Sequence, residues 1–279
     1  MQDEPPTVGV HAVDRRAFTA GERRFALTVA GQAAQSFDRA MLSDRRWEAT
    51  QVLQRALLPA ALPALERVAL AARYRPAARE IRAGGDWYTV LPLDGGRVAL
   101  TVGDVVGHGA AAAAVMGQLR AVLSSALLAG AGPAGALRAA DRFVALLPGA
   151  RGSSALVLVL DPASRDVTWS AAGHLPPLQV SGRGAAYLDA APQVLLGAIP
   201  DIRYADATAR LDPGAAVVLY TDGLVERRGE ILDVGLSRLR DAASRAYPSV
   251  DHLLDELAEN LASDGPSDDI AILGIKWKR

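Results

Sequence analysis

Apolar residues recur at helical spacing early in the chain and switch to strand-like runs after Leu65. Phe25, Val29, Ala33, Phe37 and Met41 come every four residues, which marks one apolar helix face and predicts a long helix over 19–58. Pro59 and Pro63 stop that run, and a strand over 7–13 precedes it. Beyond Leu65, strands are predicted over 67–74, 87–93, 97–105, 155–160, 167–171, 178–180, 202–211, 215–220 and 270–277, separated by turn residues. Helices are predicted over 110–128, 134–147, 233–246 and 250–263, bracketed by glycine and proline. Strand meanders broken by helix pairs argue for an α+β fold rather than a doubly wound sheet. The natural packing is a four-layer αββα sandwich of two antiparallel sheets with flanking helices, preceded by the N-terminal linker helix.

Composition narrows the chemistry. The chain has 279 residues, 30 Lys+Arg against 31 Asp+Glu, and a net charge of -1, so no global field draws it to nucleic acid or an acidic membrane. It has no cysteine, which removes disulfides, zinc–thiolate sites, iron–sulfur clusters and thiol nucleophiles. Lys276 and Lys278 are the only lysines, leaving almost no place for Schiff-base or P-loop chemistry. Gln118 and Arg120 interrupt the most apolar stretch, and the acidic, proline-bearing segment 1–6 is unlike a signal peptide. The expectation is a cytoplasmic protein with neither membrane nor nucleic acid as partner.

Aspartates stand at strand ends beside small residues: Asp86 after Gly84 and Gly85, Asp104 before Val105, Asp222 before Gly223, and the pair Asp268 and Asp269. Leu93-Asp94-Gly95-Gly96-Arg97 is a hairpin turn signal. With Gly95 at its centre, opposed residue numbers total 190, so Asp86 faces Asp104 across the open end of the hairpin. Two carboxylates ~4 Å apart repel by roughly 4 kcal/mol at an effective dielectric near 20. Such a pair persists when one is protonated, both are well solvated, or a cation lies between them. Hard oxygen donors without His or Cys support suit Mg²⁺ or Mn²⁺ rather than zinc.

Five ordered segments resemble the PPM-type protein phosphatases: Gly84-Gly85-Asp86-Trp87-Tyr88, Val102 to Gly109, Ala172 to Leu178, Leu219 to Glu226, and Asp268-Asp269-Ile270. The bacterial SpoIIE/RsbU-like serine/threonine branch is the most similar, and Leu53 to Pro59 resembles the segment that enters that domain. Residues 7–41 resemble the last strand and exit helix of a GAF sensor domain. The implied organisation is a GAF remnant and linker helix over 1–58 and a phosphatase domain over 59–279.

The resemblance implies a catalytic site with two Mn²⁺ or Mg²⁺ ions. Asp104 would bridge both, the Val105 carbonyl would add an oxygen, Asp222 and Asp268 would complete one ion, and Asp86 would hold the other. Asp268 and Asp269 both stay in the metal set, and Asp104 and Asp222 are the implied catalytic pair. A water between the ions would attack phosphorus without a phosphoenzyme. The implied substrate is a phosphorylated regulator of the anti-anti-sigma, STAS-domain type. The linker helix is expected to pair with a second copy to form a homodimer.

Two departures bear on activity. The family's motif continues to an acid where this chain has Thr89, and strand alternation points Thr89 away from Asp86. The eukaryotic branch carries a histidine where this chain has Val106, and His108, four residues after Asp104, is not assumed to replace it as a general acid. Gly107-His108-Gly109 also fits a loose dinucleotide fingerprint, but the acid expected about twenty residues on is missing. No Gly-x-Ser-x-Gly elbow supports a serine hydrolase. The rival expectation is a phosphatase-like module that binds a phosphoprotein or relays a signal without turnover.

Overall fold

Thr19 and Glu22 open the first helix with a reciprocal cap: Glu22 N–H donates to Thr19 Oγ1 at 3.2 Å, and Thr19 N–H donates to Glu22 Oε2 at 2.8 Å. The computed structural model describes residues 18–76, 84–147, 149–189, 194–261 and 268–278. Helix α1 (Ala20–Leu57) follows the predicted span, while the expected strand over 7–13 lies outside the described residues. Chain contacts divide the protein into two units, one ending at Ala49 and one starting at Thr50. In the first unit Phe25, Val29 and Phe37 are exposed, so the apolar stripe of α1 is uncovered there.

The second unit runs β1 (Val68–Arg75), β2 (Trp87–Pro92), β3 (Val98–Asp104), α2 (Ala110–Leu128) and α3 (Pro133–Val144). It continues through β4 (Ser154–Asp161), β5 (Asp166–Ala172), β6 (Leu178–Ser181), β7 (Gly184–Tyr187), β8 (Ala207–Arg210) and β9 (Ala216–Tyr220). Helices α4 (Leu232–Ala243) and α5 (Val250–Leu261) precede the closing strand β10 (Ile270–Trp277). Two antiparallel sheets result, in the orders β1-β10-β9-β6-β7 and β2-β3-β4-β5-β8.

Strand alternation builds three apolar layers between four structural ones. Tyr88, Val90, Leu100, Val102, Leu158, Leu219 and Leu273 meet between the sheets. Their neighbours Trp87, Ala99 and Val157 face the other way, onto Met116, Leu119 and Leu137 of α2 and α3. On the second sheet Val218, Tyr220 and Ile272 pack under Leu239, Leu254 and Leu257 of α4 and α5. By length and composition α2 is apolar enough to cross a membrane, a property that Gln118 and Arg120 do not cancel. Its Met116, Leu119, Leu123 and Leu127 are instead buried in the layer under the first sheet.

Three local expectations change. The strand expected over 202–211 is confined to β8. Residues before it serve α3 instead: Asp206 Oδ1 accepts the Ala134 N–H at 2.7 Å, capping that helix from a distant loop. Strand β7 was not foreseen, because Gly-Ala-Ala-Tyr carries no apolar alternation. Helices α3 and α4 stop three residues short of their predicted ends, at Val144 and Ala243.

Candidate active site

The hairpin register places the first two acids. Trp87 pairs with Gly103 and Pro92 with Val98, as the glycine turn predicts, so Asp86 and Asp104 flank the open end of β2–β3. Their side chains share the parity of Tyr88 and Val102, which face the opposite sheet. Asp222 arrives from that sheet, in a short 3-10 turn (Asp222–Leu224) directly after β9. One carboxylate oxygen from each of Asp86, Asp104 and Asp222 lies within 4.8 Å of the others.

Glycines let these segments close. A Cβ at Gly85 would sit 2.4 Å from the Val105 carbonyl oxygen, and one at Gly223 would sit 2.1 Å from the Asp269 carbonyl. Each backbone therefore approaches at a distance only glycine allows. Val105 is buried and donates its N–H to the Gly85 carbonyl at 3.3 Å, tying the turn after Asp104 to the loop before Asp86.

The acids are electrostatically unsatisfied. Asp86 is 1% exposed, and neither carboxylate oxygen has a hydrogen-bond partner; Asp222 Oδ1 is likewise buried and unpartnered. Burial, then the charge of Asp104, pushes the Asp86 carboxyl well above its ordinary range. Burial and then Asp222 raise Asp104 to about 7, while burial and then Asp268 raise Asp222 to about 6. A bare cluster of this kind favours protons or a cation in its midst.

The terminal pair divides its roles. Asp269 is fully buried, and its Oδ2 accepts from the Tyr74 hydroxyl and from Gly84 N–H, the latter at 3.1 Å. Asp268 is exposed, and its Oδ1 accepts the Asp269 N–H at 2.8 Å. Among the described residues neither belongs to the close trio, although both charges act on Asp104. Thr89 takes the strand face of Trp87 and pairs with Thr101, away from Asp86. His108 is exposed in the loop before α2, and His252 is exposed on α5; His11 lies outside the described residues.

A cavity of about 310 Å³ opens beside the acids, lined by Asp104, Ser154, His174, Asp222, Glu226 and the apolar Leu195 and Leu232 among others. Neither Ser154 nor His174 stands out in the sequence, where His174 precedes a Pro-Pro turn. The available signal was positional: the β4–β5 register, Ala155 opposite Ala172, brings Ser154 beside the Gly173-His174 corner.

Known proteins are similar to this chain in sequence and fold. The chain is 25% identical over 147 residues to the phosphoserine phosphatase RsbP of Bacillus subtilis, covering 51% of this chain. It spans 40% or less of the curated relatives it matches. The solved RsbU and RsbW domains of Rv1364c from Mycobacterium tuberculosis superpose with a TM-score of 0.73 at 36% identity, over 80% of this chain and 63% of that one. The PP2C phosphatase domain of SpoIIE from Bacillus subtilis shares the fold at 18% identity and a TM-score of 0.66, over 76% of this chain and 64% of that one. The profile of the family described as Stage II sporulation protein E (SpoIIE) matches residues 94–278, so Asp86 lies just upstream and the other acids within. The chain belongs to the SpoIIE family, and its sandwich has the fold of the PP2C phosphatase domain.

Proposed function

We propose that this chain is a metal-dependent serine/threonine protein phosphatase whose site is built on Asp86, Asp104 and Asp222. The observation that carries this reading is the convergence of three carboxylates, two of which, Asp86 and Asp222, have buried, unpartnered oxygens. An all-oxygen donor set without His or Cys fits Mn²⁺ or Mg²⁺. Two ions are proposed, which Asp86, Asp104, Asp222, Asp268 and the Val105 carbonyl would hold. Bound there, the ions would lower the pKa of water and offset charge on the phosphoryl group.

The protein's own part is positional. Asp104 stands between Asp86 on its hairpin partner and Asp222 on the opposite sheet, so one side chain spans the gap between the layers. Asp269, held by Tyr74 and Gly84, anchors the loops that bear Asp86 and Asp268. On this reading Asp268, rather than the hydrogen-bonded Asp269, would be the outer ligand. Leu195 and Leu232 line the cavity beside the acids.

The proposed substrate is a phosphoserine or phosphothreonine on a regulatory protein of the anti-anti-sigma type. RsbP, a phosphoserine phosphatase, supports the residue class. A cytoplasmic setting belongs to the same reading, and so does pairing of two copies through α1, whose Phe25, Val29 and Phe37 stand exposed. Hydrolysis of a chromogenic phosphomonoester and of a phosphoserine peptide tests the central assignment. Turnover should require Mn²⁺ or Mg²⁺ and cease on chelation; turnover unaffected by chelator, or none with either metal, contradicts it.

A further inference from the structure

Among the described residues His174 is the one histidine brought into the acid-lined cavity, and its ring is fixed at both nitrogens. Nε2 lies 3.1 Å from the Tyr220 carbonyl oxygen, and Nδ1 lies 2.7 Å from Ser154 Oγ. A carbonyl only accepts, so Nε2 must carry the proton. Burial drives the ring pKa down to about 4, which leaves it neutral near pH 7 and makes Nδ1 an acceptor. Ser154 has one hydroxyl proton, and this arrangement commits it to His174. Toward the cavity Ser154 therefore offers only lone pairs.

That polarity is wrong for gripping a phosphate, whose oxygens also accept. It is right for a donor. Ser154 is the direct cross-strand partner of Asp104, and both line the same cavity. Directly opposed residues hold their Cβ atoms about 4.5–5.5 Å apart. A water molecule bridging two acceptors at ~2.8 Å each spans a comparable gap. Asp104 and Ser154 thus present two acceptors to the two protons of one water.

Resting on the phosphatase reading, we infer that Ser154 is a positioning residue that orients the attacking water beside Asp104, and that His174, locked by the Tyr220 carbonyl, sets its hydrogen-bond polarity. The device draws on three elements: Ser154 from β4, His174 from the turn after β5, and Tyr220 from the end of β9. Since β9 leads straight into Asp222, the same tie couples the water's acceptor to a second acid of the trio.

Two measurements on the full chain test this. Nitrogen-15 NMR of the histidine rings, without metal, should show His174 as the neutral Nε2–H tautomer, with its Nδ1 resonance displaced in Ser154→Ala. In steady-state assays with Mn²⁺ and a phosphoserine peptide, Ser154→Ala should lower kcat about tenfold or more, since misplacing a reactant is costly, with KM and Mn²⁺ half-saturation unchanged. Ser154→Thr, which keeps the hydroxyl, should retain kcat within about threefold. His174→Phe, which removes both ring nitrogens, should lose as much as Ser154→Ala, and the double variant no more than either. An Nδ1–H ring, a Ser154→Ala enzyme with parental kcat, or one whose kcat falls only together with Mn²⁺ affinity and melting temperature overturns the inference. Parental kcat in Ser154→Ala sinks this inference alone; an inactive parent sinks it together with the phosphatase reading.

Discussion

Asp141 and Asp86 are both buried aspartates on the first sheet's side of the molecule, and the protein treats them in opposite ways. Asp141 on α3 accepts the Gly197 N–H at 2.8 Å and the Tyr204 hydroxyl at 3.2 Å, so its carboxylate pins the loop between β7 and β8. Asp86 has no partner for either oxygen and faces two more acids. A buried charge with donors organises structure, whereas one left without them costs stability. Burial alone does not separate a structural acid from a functional one. The distinction lies in whether the surrounding sequence supplies donors, and around Asp86 the Thr221 hydroxyl alone works against burial and the charges of Asp104, Asp222 and Asp269.

The largest expected effect falls on the functional side. Asp104→Asn should cut metal-dependent turnover about 100-fold or more, at least ~2.7 kcal/mol of transition-state stabilisation, while circular dichroism and oligomeric state stay parental. A variant that retains a tenth of parental kcat under saturating Mn²⁺ would show that Asp104 is not the shared acid.

Next comes the contrast itself. Asp141→Ala should destabilise the metal-free protein by about 2–3 kcal/mol, because it strands the Gly197 N–H and the Tyr204 hydroxyl. Asp86→Asn should do the reverse near pH 7.5, raising the metal-free melting temperature because it removes an ionisable group whose charged form burial and Asp104 oppose. Denaturant unfolding of both variants decides it, and equal destabilisation of the two would erase the distinction drawn between them.

The smallest effect concerns Thr89, the position where the resembling family carries an acid. Its hydroxyl is buried without a partner opposite the equally unpartnered hydroxyl of Thr101. Thr89→Val should therefore leave stability within about 1 kcal/mol of the parent or raise it, with Mn²⁺ affinity unchanged. A loss of metal affinity in that variant would tie Thr89 to the site despite its facing away.

The parts of this account visible in the sequence are those set by local chemistry. Asp94, Gly95 and Gly96 pin the β2–β3 register, and through it the Asp86–Asp104 juxtaposition. Strand β10 was predicted to the residue because an uninterrupted apolar run starts after two acids. What stayed hidden depends on distant partners. Nothing near Asp141 announces Gly197 and Tyr204, and nothing near Asp269 announces Tyr74. The sheet orders also hide, since β6 reaches β9 across β7 and β8 in the chain. Ser154 and His174 meet only once the β4–β5 pairing is known. The apolar pattern over 202–206 misleads for the same reason: it packs a loop onto α3, with Tyr204 buried in that layer, instead of extending β8.

The central claim is that the acid trio is a cation site, and the melting temperature between pH 6.5 and 7.5, with chelator and with Mn²⁺, tests it most directly. The carboxyls of Asp86, Asp104 and Asp222 have folded-state pKa values above their unfolded ones, with Asp104 at about 7 and Asp222 at about 6. Their contribution is fully present below the unfolded pKa and is lost as pH rises through the folded values. His174 acts oppositely but only at lower pH, since its pKa falls from 6.5 to about 4. In chelator the melting temperature should therefore fall across the window. With Mn²⁺ at a hundredfold excess over Kd the folded state gains about 2.7 kcal/mol. That gain should raise the melting temperature by roughly 5–10 °C at pH 7.5. It should shrink toward pH 6.5 as protons compete for the same oxygens. A melting temperature that rises with pH in chelator, and that Mn²⁺ leaves unmoved at pH 7.5, would contradict the account.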